Sequence, residues 1–177
     1  MGFRCRWIAM RGRDRTDVLA RLKFGITDEV NDELYDPGLY GFEVDGWLVI
    51  FGDGWDFMDL VTRRAAAKLS NRGEVLYLYT DDTPMKAELT AFFDGRVRWS
   101  VTYDGQDGPS RVTTEGTLPP EAKSIIAAAE KAQKGVSDVD HVYDVVADLG
   151  LALVGFRHDQ TPSSGKYLPV YALMASS

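Results

Sequence analysis

A short segment of the chain, GFRHDQT at residues 155 to 161, places a histidine between an arginine and an aspartate. An imidazole near a carboxylate is a combination that general acid–base catalysis uses. Adjacent side chains of an extended segment point to opposite faces, so His158 and Asp159 are not expected to contact each other. We therefore favour a structural role for Arg157, His158 and Asp159, as backbone caps or in a salt bridge. The alternative is a ligand or catalytic site completed by more distant residues.

Acyl transfer at such a site would also need a nucleophile. The single cysteine, Cys5, alternates with Phe3 and Trp7 along a predicted strand and is therefore expected to be buried. One cysteine allows neither an internal disulfide nor a multi-cysteine zinc site, and the chain has no G-x-S-x-G motif. The sequence therefore favours a protein that is not an enzyme. The alternative is a small hydrolase or small-ligand binder that combines His158 and Asp159 with residues 53 to 56.

The segment GDGWDFMD groups carboxylates around a tryptophan after a predicted buried strand. It is not a phosphate-binding loop, because no Lys-Ser or Lys-Thr pair follows it. We expect Asp56 to cap a helix and Trp55 to be exposed, and exposed tryptophans often dominate protein interfaces. Asp53, Trp55 and Asp56 are thus candidates for contact with a partner or ligand.

The second histidine, His141, lies beside three aspartates that recur every four residues, Asp140, Asp144 and Asp148. Oxygen ligands of this kind could hold magnesium or calcium if they faced one point. Carboxylates at helical spacing more commonly face water, and this is the interpretation we favour. The spacing matches neither an EF-hand nor a zinc motif, so no metal and no cofactor are predicted.

The net charge of −7 is unevenly distributed. Residues 1 to 24 contain seven basic and two acidic side chains, a balance of +5, which leaves −12 for the rest. We expect these arginines to pair internally with the acidic residues 27 to 46, or with a docked partner. The acidic remainder argues against nucleic acid as that partner. No apolar run approaches the roughly 18 residues of a membrane span, and the predicted location is cytoplasmic.

Hydrophobic periodicity predicts the N-terminal elements. Residues 3 to 10 alternate in the manner of a strand with one buried face. A helix should follow, with Asp14 as its N-cap and Gly25 at its C-terminus. Residues 26 to 38 are predicted to be an acidic loop.

Strands are predicted for most of the middle of the chain. Asp45-Gly46 indicates a type I′ hairpin whose second strand, residues 47 to 51, is apolar at every position and so covered on both faces. Residues 56 to 71 are predicted to form one helix, with antiparallel strands between residues 74 and 116. The hairpin at residues 93 to 95 is expected to have a three-residue loop, which places six residues on one face: Ala87, Leu89, Ala91, Val97, Trp99 and Val101.

The C-terminal third is predicted to be mainly helical. One helix begins at Pro120 and ends before Gly135, and a second spans residues 138 to 149. A short strand or turn and a last extended segment should follow. The predicted fold class is α+β, a mainly antiparallel sheet with three to four helices packed on it, in a single domain of residues 1 to 177.

Five segments in this order resemble a family of bacterial proteins: GFRCRWIAMRGRDRTDVLARL, GWLVIFG, LSNRGEVLYL, DGRVRWSV and GFRHD. The resemblance spans most of the chain, and the order of the segments is its specific part. It implies no catalytic residue, because no activity is attached to that family. Members often have HD after WSV, where this chain has Thr102, Tyr103 and Asp104. The architecture is also similar to small α+β immunity-type proteins, which bind one partner.

These observations favour a cytoplasmic protein that acts by binding a protein partner or by self-association. They predict no nucleic-acid or membrane partner. The candidate contact residues are Asp53, Trp55, Asp56, Tyr103, Arg157, His158 and Asp159.

Overall fold

The strands of this protein form one antiparallel sheet. The computed structural model describes residues 3–31, 37–107, 111–136, 138–160 and 170–175. The sheet order is β2-β9-β3-β4-β1-β5-β6-β7-β8, and every pairing between neighbours is antiparallel. The strands are β1 Arg4–Arg11, β2 Phe24–Asn31, β3 Gly38–Val44, β4 Trp47–Asp53, β5 Val75–Asp81, β6 Lys86–Phe93, β7 Arg96–Asp104, β8 Thr113–Gly116 and β9 Val170–Ala175.

Helices cover both faces of the sheet. The α-helices are α1 Arg15–Leu22, the single turn α2 Trp55–Met58, α3 Arg63–Leu69, α4 Pro120–Gln133 and α5 Val145–Val154. Buried residues of α5 and of the N-terminal end of α4 share one hydrophobic core with the sheet, and those of α1 and α3 share the core on the opposite face. The predicted α+β class with a mainly antiparallel sheet is confirmed.

Strand β1 is the central strand of the sheet, paired with β4 on one side and β5 on the other. Cys5 and Trp7 point into the core under α4 and α5. Ile8 and Met10 point into the opposite core and are 0% and 1% exposed. The prediction that this strand has one solvent-facing side is therefore wrong at these positions, because helices cover its second face.

The C-terminus of the first helix and the segment after it differ from the prediction. Asp14 caps α1 as expected, since its side chain accepts a hydrogen bond from the Asp17 amide. The helix ends at Lys23, which has the left-handed φ of 60°, and Gly25 already belongs to β2. The loop predicted for residues 26 to 38 is a strand as far as Asn31, because β9 pairs with it from far along the chain. Residues 32 to 36 lie outside the described residues.

The first predicted hairpin has the expected turn, whereas the second has a shorter loop than predicted. Asp45 and Gly46 both have positive φ, as a type I′ turn requires, and β4 is buried along residues 47 to 51 as predicted. In the second hairpin Asp94 and Gly95 form a two-residue turn with positive φ at both positions.

A bulge in β7 explains why the predicted loop length was wrong. Ala91 pairs with Trp99 while Phe92 pairs with Val97, so Arg98 is an extra residue in β7. Beyond the bulge, Trp99 and Val101 pair with Ala91 and Leu89 on one face, as predicted. Val97 lies before the bulge and is 37% exposed. The alternating pattern alone predicted a longer loop because it cannot distinguish an extra loop residue from an extra strand residue.

The helix predicted for residues 56 to 71 is interrupted. Gly54 occupies the N-cap position of α2, so Asp56 does not cap it. Helix α3 begins after Thr62, whose hydroxyl accepts a hydrogen bond of 3.1 Å from the Ala65 amide. The interruption directs Val61 into the core, where it is fully buried.

The C-terminal helices are only partly as predicted. Helix α4 matches the predicted limits, whereas α5 begins at Val145 and continues to Val154. Asp140 accepts hydrogen bonds from the amides of Val142 and Tyr143, which stabilises a turn in place of the first helical residues. Among the described residues no helix is long and apolar enough to cross a bilayer.

We predict that Ser70→Ala destabilises the protein by about 1–3 kcal/mol. The fully buried Ser70 hydroxyl donates to the Ala67 carbonyl (2.7 Å) and accepts from the Gly95 amide (2.9 Å), so its loss leaves that amide without this acceptor. The measurement is urea unfolding followed by circular dichroism. The matched control is Ser124→Ala, which removes an exposed hydroxyl bonded to the Glu121 carbonyl. Equal destabilisation by the two changes would contradict the prediction.

Candidate functional site

A cavity of about 100 Å³ lies between α5 and the ends of β1 and β5. Its apolar walls are Phe3, Leu78, Ala87, Val146 and Ala147. Its polar walls are Thr80, Asp82, Tyr143, Asp144, Arg157, His158 and Asp159. The structure therefore brings Arg157, His158 and Asp159 together with polar residues from the other end of the chain.

A chain of hydrogen bonds defines one wall of this cavity. The Tyr143 hydroxyl donates to Asp82 Oδ1 at 2.6 Å and lies 2.7 Å from Thr80 Oγ1. Because tyrosine has a single hydroxyl proton, Thr80 must be the donor to Tyr143. Asp82 Oδ2 also accepts from the Phe3 amide at 2.7 Å. Burial raises the pKa of Tyr143, and its bond to Asp82 raises it further, so the phenol stays protonated.

Arg157 connects the segment after α5 to the N-terminal end of that helix through ion pairs. Its guanidinium contacts Asp144, Asp148 and Asp159, with 2.9 Å from Nη2 to Asp144 Oδ1 and 2.7 Å from Nε to Asp159 Oδ1. Burial by itself would lower the pKa of Arg157, but the carboxylates raise it overall. The pKa of Asp159 is lowered, because hydrogen bonds from Arg157 outweigh the effect of burial.

The prediction that three aspartates share a solvated helix face holds only in part, since the side chains of Asp144 and Asp148 are 45% and 46% exposed but also form ion pairs. Asp144 and Asp148 pair with Arg157, while Asp140 lies before α5. His141 is only half-buried, and its amide donates to Gln133 Oε1 at 2.7 Å. Among the described residues no three histidine, cysteine or acidic side chains are grouped so as to hold a metal ion.

His158 is the most unusual residue of the cavity. It is 8% exposed, and its Nδ1 is buried without a hydrogen-bond partner among the described residues. Its ring packs edge-on against Phe3, with 5.3 Å between ring centroids. Asp159 bonds to Arg157, so the neighbouring carboxylate is engaged by the arginine. Burial lowers the pKa of His158, and the charge of Asp159 opposes this only in part.

Trp55 lies away from this cavity, on the opposite face of the sheet. It is 72% exposed, whereas the other three tryptophans are at most 5% exposed. The Arg4 guanidinium lies over its ring, 3.1 Å from the centroid, and is itself bonded to Asp81 at 2.6 Å. Asp56 is exposed beside it, and Asp53 is half-buried.

The alternative site expected from the sequence would combine His158 and Asp159 with residues 53 to 56. The cavity lining includes His158 and Asp159 but no residue of that loop. Phe3 and Arg4 are adjacent in sequence and point to opposite faces of the sheet, which separates the cavity from Trp55.

Tyr103 lies in the core and is 3% exposed. Its hydroxyl donates to Asp140, and burial together with this bond raises its pKa. Its ring contacts Tyr143 edge-on, with centroids 5.7 Å apart. Tyr103 therefore supports the wall of the cavity from behind Tyr143.

Sequence reasoning missed Thr80, Asp82 and Tyr143. Thr80 ends a predicted strand and Asp82 follows it in YTDDTP, a pattern that equally describes an ordinary turn. Tyr143 belongs to a region whose helical limits were predicted incorrectly. No signal in the sequence places Thr80 and Asp82 beside Tyr143, since these contacts join segments more than 60 residues apart.

Comparison of the chain with protein-family models, with curated proteins and with solved structures gives no match. The geometry of the described residues is therefore the basis for the function proposed below.

We predict that Trp55 dominates the quenching of tryptophan fluorescence by acrylamide, because the other three tryptophans are buried. Trp55→Phe should remove most of the quenchable emission, as measured by Stern–Volmer titration. The control is Trp47→Phe, which removes a buried indole and should leave the quenchable component in place. Quenching that is unchanged in Trp55→Phe would show that this indole is covered in solution.

We predict that His158 titrates below pH 6.5, the ordinary midpoint of histidine, because its burial disfavours the charged ring. As the pH falls below 6.5, the unfolded state binds this proton before the folded state does. The free energy of unfolding therefore decreases between pH 6.5 and the lower pKa of the folded state. The imidazole signals in NMR spectra measure the midpoint, and His141→Gln assigns them. A midpoint at or above 6.5 would refute the prediction.

Proposed function

We propose that this protein acts by binding a protein partner and that Trp55 is the centre of the contact surface. The observation that carries this proposal is the 72% exposure of a tryptophan whose ring is held under Arg4. Tryptophan and arginine are the residues most enriched at the energetic centres of protein interfaces.

The Trp55–Arg4 pair is organised before any partner binds. Arg4 belongs to the central strand β1, is largely covered, and is bonded to the buried Asp81. A rigid aromatic anchor loses little side-chain entropy on binding, so more of its contact energy appears as affinity. This arrangement supports a surface built for contact.

Charge indicates the chemistry of the partner. Asp56 is exposed next to Trp55, and the chain has a net charge of −7. Two arginines of the basic N-terminal segment, Arg4 and Arg6, pair with Asp81 and Asp59. We therefore propose a protein partner that offers an apolar pocket with a basic rim, and not a nucleic acid. A cytoplasmic location, expected from the sequence, is part of this proposal.

The test begins with recovery of a stoichiometric partner from a bacterial lysate on the immobilised protein, followed by titration of the purified partner. Trp55→Ala should weaken binding by on the order of 30-fold, as expected for an interface hot spot. Val139→Ala, which truncates another exposed apolar side chain, is the matched control and should bind like the wild type.

Added salt should weaken the complex through a slower association rate, because the contact joins opposite charges. Sedimentation of the wild type alone tests whether the partner is a second copy of this chain. Failure to recover any stoichiometric partner, self-association included, would overturn the proposal, as would equal affinity of Trp55→Ala and the wild type.

A further inference from the structure

The cavity beside His158 has the features of a built binding site that the partner surface does not use. Its volume of about 100 Å³ is enough for several water molecules or for a ligand of a few non-hydrogen atoms. It lies on the opposite face of the sheet from Trp55. The proposed contact surface around Trp55 therefore does not account for the residues that line this cavity.

The charges of the lining are unbalanced. Three carboxylates line the cavity, Asp82, Asp144 and Asp159, against the single cation Arg157. Arg157 directs its Nε and both terminal nitrogens to carboxylates, two of them in the lining and the third Asp148. Little of its donor capacity remains for a ligand, so the walls favour a positively charged occupant over an anion.

The hydrogen bonds within the lining also favour an occupant that donates hydrogen bonds. The Tyr143 proton is used by Asp82, and the Thr80 proton is used by Tyr143, so these groups can offer only lone pairs to an occupant. His158 Nδ1 is buried, lacks a partner among the described residues and belongs to a side chain that lines the cavity. Burial lowers the pKa of His158, which favours the neutral ring, and in its Nε2–H tautomer Nδ1 is the acceptor.

We infer that this cavity binds a small primary ammonium group, with its N–H donors directed to His158 Nδ1 and Asp82 and its carbon stem against the apolar wall. An ammonium group is compact, carries three donors and has no acceptor, which matches a lining of acceptors and net negative charge. The wall formed by Phe3, Leu78 and Val146 suits a short alkyl stem.

The ammonium group can belong to a free alkylamine or to a lysine side chain, and two probes distinguish these sources. Ethylammonium chloride represents the free amine, and Nα-acetyl-lysine amide represents the side chain. Each is titrated at pH 7.5 into the full chain while the His158 imidazole signals are followed by NMR. Saturable shifts are expected with one or both probes, and the tighter probe identifies the source.

Three control ligands define the chemistry. Tetramethylammonium has the charge but no N–H donor, ethanol has a similar size but no charge, and sodium acetate is an anion. None of them should reproduce the saturable shift of His158. An equal response to tetramethylammonium, a response to acetate, or no saturable shift with either amine would overturn the inference.

Variants separate the cavity from the rest of the molecule. Asp82→Asn should weaken ammonium binding at least 10-fold, in line with the loss of a charged acceptor. Because Asp82 also bonds the Phe3 amide, Ala147→Met provides a second test that fills the cavity without removing a charge. The control is Glu121→Gln on the exposed surface of α4, which should bind as the wild type does. Folding of each variant is checked by circular dichroism, and undiminished binding by folded Ala147→Met would overturn the inference.

Trp55→Ala should leave ammonium binding unchanged, since Trp55 does not line the cavity. This comparison keeps the two proposals separate. Failure to find a protein partner would not affect the ammonium titration. Failure to bind ammonium would likewise not affect the partner-binding experiment.

Discussion

The pairing of β1 on both sides is the constraint on which the rest of the structure depends. The strand lies between β4 and β5, and its alternating side chains enter two cores that helices cover from opposite sides. The same alternation continues to the N-terminal end of the strand, where Phe3 faces the cavity and Arg4 faces Trp55. One strand end therefore positions two separate candidate sites. It also carries two arginines that form ion pairs, Arg4 with the buried Asp81 and Arg6 with the exposed Asp59.

The charge cluster around Arg157 organises the cavity. Its guanidinium side chain is 11% exposed, and removing a charge of this kind from water is unfavourable unless carboxylates and hydrogen bonds compensate. Asp144 supplies these from the N-cap position of α5, Asp148 from its first turn, and Asp159 from the segment itself. The cluster therefore holds the chain directly before and after His158. Aspartates that would suit a solvated helix face thus also hold the segment that contains His158.

Local patterns were sufficient for several features whose decisive interactions are local, although the local hydrogen bonds of Thr62 and Asp140, which change the predicted helix limits, were missed. The type I′ turn at Asp45-Gly46, the Asp14 cap and the limits of α4 depend on neighbouring residues, and the structure contains all of them. Predictions failed where a distant segment decides the conformation. Strand β2 forms because β9 pairs with it, and the bulge at Arg98 depends on the register with β6. A periodic pattern contains no information about which distant strand will pair, and this is the physical reason for these errors.

The sequence by itself determined the antiparallel α+β class, the burial of Cys5, the exposure of Trp55 and the uneven distribution of charge. Each of these follows from residue type and from short-range periodicity. Only the tertiary structure decided what surrounds His158. Its cavity is formed by side chains from the N-terminus, from the end of β5 and from the turn before α5, which are distant along the chain. Such contacts arise from how the sheet and helices pack, and packing depends on the whole chain at once.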